Sequence, residues 1–153
     1  MAHRRDEIRK IIVNQLKNKT LAKENVFNWR LKPIQSEPMP CITVIIPKEE
    51  IISLSGCGNL LKRKADIEIM IYNSISSHED NMCDEISREV ETLMYSIKEK
   101  DFQFELNSME IFTESHSTRF MIMCLLKYEC TYNSIEIVTQ KYDEFSNLSI
   151  EVF

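Results

Sequence analysis

The sequence predicts an α+β fold: a mostly antiparallel β-sheet, with room for a mixed one, carrying two main helices on one face. Three observations predict it. A 3.6-residue apolar period occurs twice, over residues 4–19 and 76–100. A two-residue alternation marks several separate stretches, clearest over 61–72. The elements follow the order helix, strands, helix, strands. A length of 153 residues suits one domain.

Residues 4–19 read as the first helix. Ile8, Ile11, Ile12 and Leu16 fall on one apolar face. Asp6 and Glu7 near its start, and Lys17 and Lys19 near its end, suit the helix dipole. Residues 26–30 form a short strand or extended turn. Pro33, Pro38 and Pro40 make 32–40 a loop. Residues 41–46 are β-branched and apolar enough for a strand, which Pro47 is expected to stop. Residues 48–54 form a second, short extended piece. Gly56 and Gly58 then turn the chain.

In the strand over 61–72, Ala65, Ile67, Ile69 and Ile71 point one way. Lys64, Asp66, Glu68, Met70 and Tyr72 point the other, so one face packs on helices and the other is mostly polar. The second helix, with its lead-in, spans 76–100. Ser77 and Asp80 stand in a capping-box relation at its start. Met82, Ile86, Val90, Leu93, Met94 and Ile97 form its apolar stripe, which reads as core. Phe102, Phe104 and Leu106 open a strand running towards Thr113, and 114–118 is a polar hairpin loop. Residues 119–131 form a long strand that is apolar on both faces over half its length, which argues a central place in the sheet. The body is thus assigned to residues 1–132. Residues 133–153 carry Ile135–Val138 and then Tyr142, Phe145, Leu148, Ile150, Val152 and Phe153 without a clear period. They are expected to form an arm that covers the body or a neighbouring subunit.

Composition limits function. Hydrophobic residues at 43% and charged residues at 28% fit a folded soluble protein. No apolar run approaches the roughly 20 residues of a membrane helix, so no membrane partner is expected. The first ten residues are charged with no apolar core behind them, unlike a signal peptide, which predicts cytoplasmic residence. The net charge of −5 argues against tight nucleic-acid binding. The five cysteines include no CxxC pair and read as reduced, buried and structural, with no zinc site. The two glycines precede a strand without the Lys and Ser/Thr of a phosphate loop.

No catalytic, metal or cofactor site emerges. His3, His78 and His116 have no partner at catalytic or metal spacing. Asp66 and Glu68 share a strand face at about 7 Å and are the one candidate pair for a metal-dependent nuclease. Such a site also wants a lysine where Met70 stands, so a docking surface is the preferred reading.

The helix from Arg5 to Leu16, the Val26-Phe27 step and the strand Pro40-Cys41-Ile42-Thr43-Val44 occur in a recognisable order. The strand from Arg63 to Tyr72, the long second helix and the closing strand Lys127-Tyr128-Glu129-Cys130-Thr131-Tyr132 follow them. Over about residues 4–132 this order resembles the minor tail protein family that contains the tail terminators of lambda-like long-tailed phages. The resemblance implies a ring, a hexamer, on the head-proximal end of a tail tube. The ring would stop tube polymerisation and contact head-completion proteins. Its partners would be further copies of itself, tail-tube subunits and head-completion proteins. It would assemble in the host cytoplasm and end in the virion tail or a tail-like particle. A head-tail connector or other tail-completion subunit is the alternative. A ring needs two different patches that meet, and Lys62, Arg63 and Lys64 with Asp66 and Glu68 are the candidate oligomer-interface residues.

Overall fold

The computed structural model describes residues 4–28, 39–54, 61–75, 81–116 and 119–134. It contains α1 (Arg4–Leu16), β1 (Val26–Asn28), β2 (Cys41–Leu54), β3 (Leu61–Ile75), α2 (Met82–Tyr95), β4 (Gln103–His116) and β5 (Arg119–Ser134). The strands form one sheet in the order β1-β2-β3-β5-β4. β1 lies parallel to β2, and the other three pairings are antiparallel. The sheet is therefore mixed but mostly antiparallel, and the α+β expectation holds.

Periodicity builds the two helices onto one face. In α1, Ile8, Ile12 and Leu16 are fully buried. The helix ends sooner than the charge pattern predicts, because Asn18 turns the chain through a left-handed conformation (φ 61°) that Asn tolerates better than most residues. In α2, Ile86 and Val90 are fully buried and Met94 nearly so. α2 starts at Met82, later than the capping-box reading places it. Asn81 occupies the cap position without a side-chain cap bond, while Asp84 and Glu85 complement the dipole in the first turn.

These stripes meet one face of the sheet. Val44 and Ile46 from β2, Ile67, Ile69 and Ile71 from β3, and Leu126 and Tyr128 from β5 join the helix residues in a single core. Each fully buried aliphatic side chain contributes about 1.5–3 kcal/mol relative to exposure. β3 is the middle strand, and β5 is flanked on both sides by β3 and β4. That placement explains its two apolar faces. Leu126 faces the helices, while Met121, Met123 and Leu125 are buried on the opposite face. Cys41, Cys83, Cys124 and Cys130 are buried, as expected for them.

Three boundaries are corrected. Pro47 does not stop a strand: β2 runs through it to Leu54. The ladder jumps from Ile45↔Glu68 to Lys48↔Asp66, so Ile46 and Pro47 together face Ile67 as a β-bulge. β1 pairs only with Ile42–Val44, so Pro47 needs no outward amide hydrogen bond. The hairpin between β4 and β5 is also tighter than predicted, because pairing continues to His116↔Arg119. β5 itself extends to Ser134, two residues into the segment assigned to the arm. The rest of that segment, the Gly56 and Gly58 turn, the Ser77 and Asp80 cap, Pro33, Pro38, Cys57, His3 and His78 lie outside the described residues.

Candidate interaction surface

Strand alternation divides the predicted interface residues between two faces. Lys62, Lys64, Asp66 and Glu68 lie on the face away from the helices, whereas Arg63 shares the helix-covered face with Ala65 and Ile67. Lys62 is exposed; Lys64, Asp66 and Glu68 are half-buried. Across the ladders, Asp66 sits between Lys48 and Glu129, and Glu68 between Ile45 and Lys127.

This open face is a lattice of alternating charge. Lys64 Nζ lies 3.2 Å from Glu129 Oε1, Lys48 Nζ 2.5 Å from Glu50 Oε1, and Lys127 Nζ 3.9 Å from Glu110 Oε1. The hydrogen bond to Glu129 pushes the Lys64 ammonium above its usual range, and the bond to Glu50 does the same for Lys48. The Lys48 ammonium holds the Glu50 carboxyl below its usual range. Solvated pairs of this kind add little stability and mainly set which charges a partner meets. Asp66 acts electrostatically on both Lys48 and Lys64, so two ammonium groups compete with any cation there. Among the described residues no three His, Cys, Asp or Glu side chains converge as metal ligands.

The sequence reading missed Glu49. It looks like one more solvated charge in Lys48-Glu49-Glu50. The bulge at Ile46-Pro47 shifts the alternation by one residue and turns Glu49 onto the helix side, in register with Ala65. There its side chain is only 6% exposed. Its Oε2 lies 3.3 Å from Arg63 Nη1 and 3.6 Å from Arg5 Nε, and Tyr132 donates its hydroxyl proton to Oε1. The Tyr132 ring packs against Phe102, centroids 5.6 Å apart, and the Arg4 guanidinium covers the far side of the cluster, 5.5 Å from the Phe102 centroid. One carboxylate thus joins β2, β3, β5 and the start of α1. Arg63 serves this cluster, with its Nε buried and without a hydrogen-bond partner.

Among the described residues the sheet also has two open edges. There β4 pairs only with β5. On the opposite side, among the described residues, β1 covers β2 only at Ile42–Val44, which leaves residues 48–54 paired to β3 alone. Eight large hydrophobic side chains are exposed among the described residues, and six lie on these edges. Ile51 and Ile52 are on β2, and Leu106, Met109, Ile111 and Phe112 on β4, at 39–57% exposure. No described helix is long and apolar enough to cross a membrane.

The arrangement is rich in docking features, and comparison with known proteins gives them a setting. The family model of phage minor tail protein U matches residues 3–132, which includes both helices and nearly the whole sheet. A search of the curated proteins found no match. The chain therefore belongs to the phage minor tail protein U family and is a structural protein of a phage tail.

Proposed function

We propose that this chain is a tail terminator: a subunit that closes into a hexameric ring on the head-proximal end of the tail tube. The ring stops tube polymerisation and offers its free surface to head-completion proteins. The match to phage minor tail protein U over residues 3–132 carries this reading. The two apolar sheet edges support it, because a ring needs two unlike patches on each subunit. On this reading the open face with Lys62, Lys64, Asp66 and Glu68 meets neighbouring tail components. Arg63 acts from inside, tying β3 to β2 through Glu49. A net charge of −5 suits a conduit that must pass DNA without holding it. Assembly takes place in the host cytoplasm, and the subunit stays in the finished tail.

The test is to polymerise purified tail-tube subunit with and without this protein and view the products by electron microscopy. Tubes of limited length, each bearing a ring at one end, are expected. Tubes that grow equally long in its presence, with bare ends, would refute termination.

A further inference from the structure

We propose that copies of this chain join head to tail by strand pairing, β4 of one subunit adding to residues 48–54 of β2 in the next. The proposal rests on the ring reading above and names its contact surface. Three observations lead to it.

First, both edges carry unused hydrogen-bonding capacity. About half the backbone N–H and C=O groups of a strand paired on one side point away from its partner. β4 has a partner on one side over all of Gln103–His116, and β2 has one on one side beyond Val44. Second, exposed apolar side chains concentrate on these two strands, with Ile111 at 53% and Ile51 at 57%. Isolated exposed apolar residues need no explanation, but this clustering on open edges of the described sheet does. Third, the edges differ in charge. Exposed edges are normally guarded by lysine. β4 contains no Lys or Arg and carries Glu105 and Glu110. The β2 side presents exposed Lys48 paired with exposed Glu50 and, on the adjoining strand, exposed Lys62. Two acidic β4 edges repel each other, whereas the mixed-charge β2 side offers β4 cations to meet.

A β4–β4 contact would make a closed two-fold dimer and bring acidic strands together. A β4–β2 contact uses different patches on each subunit, the heterologous geometry from which rings are built. The occupant of each edge is therefore the other edge of a second copy.

Two substitutions separate the alternatives. Ile111→Lys and Ile51→Glu each put a charge in place of an exposed apolar edge residue, both on the face of the sheet shared with Ile71 and Arg63. Both sites are exposed, so unchanged circular dichroism and thermal midpoints are expected. Tyr95→Glu, on exposed α2 surface away from both edges, is the control. Assembly is read by sedimentation velocity and by counting rings on tube ends. Each edge variant alone should lose at least tenfold in association, and Tyr95→Glu should behave as wild type. Mixed in equal amounts, the edge variants should associate again, since each supplies the intact edge that the other lacks. Edge pairing is overturned if wild type forms rings and either edge variant alone does so equally well, or if the mixture stays monomeric. Absence of rings from wild type, both in solution and on tube ends, instead removes the ring reading on which the proposal rests.

Discussion

Glu49 binds four elements through one carboxylate, and its replacement exposes how much depends on it. With Glu49→Ala, Arg63 keeps a side chain only 13% exposed but loses its nearest counter-charge. Removing one member of a buried pair costs about 3–5 kcal/mol, because the remaining charge is stranded. A urea titration should show that loss as a lower midpoint. The double variant Glu49→Met with Arg63→Met should be more stable than Glu49→Ala, because it strands no charge and keeps apolar volume. Equal stabilities for the single and double variants would show that the pair is not coupled.

At the scale of elements, the bulge at Pro47 determines which side chains enter the core. Pro47 is exposed and on an unpaired stretch of edge, so Pro47→Ala should change stability by less than about 1 kcal/mol. Deleting Pro47 removes the bulge but keeps the phase beyond it, because Ile46 alone then faces Ile67 while Lys48 still meets Asp66 and Glu49 still meets Ala65. The thermal midpoint should therefore fall much less than it does with Glu49→Ala. This explains what the sequence made legible and what it hid. β3 and β5 were readable because their alternation runs unbroken through Ala65–Ile71 and Phe120–Cys130. α1 and α2 were readable because their apolar stripes hold a single period. The continuation of β2 was hidden, because a proline in a strand is ordinarily a stop and only the open edge beyond β1 makes it harmless. Glu49 was hidden by the same phase shift. The two edges were hidden for another reason. Strand order depends on pairings far apart in sequence, and alternating apolar residues look the same on an edge strand as on an interior one.

For the whole molecule, stability should form a plateau across neutral pH and fall at both ends. Lys10 lowers the Asp6 carboxyl and Lys48 lowers that of Glu50. Groups with depressed values stabilise the fold above their ordinary range, here 3.8 and 4.5, and that contribution is lost as pH falls through the folded values. The alkaline side has the opposite sign. Burial pushes Cys83 up to about 11 and Cys130 up to about 12, and raises Cys124 as well. Groups with raised values leave stability complete below the ordinary thiol value of 9.0 and remove it as pH rises towards the folded ones. Thermal midpoints measured from pH 3 to 11 should therefore be flat between about 5 and about 8.5 and decline beyond both limits. A midpoint that climbs between pH 9 and 11 would contradict the buried-thiol account.

Both helices rest against the same side of the sheet, while Lys64, Asp66 and Glu68 occupy the reverse. A wall made from many such units, all placed the same way round, acquires a lining and a rind of different chemistry from a single kind of part. In the ring proposed above, substitutions on the helical skin and on the charged skin would therefore be felt by different neighbours.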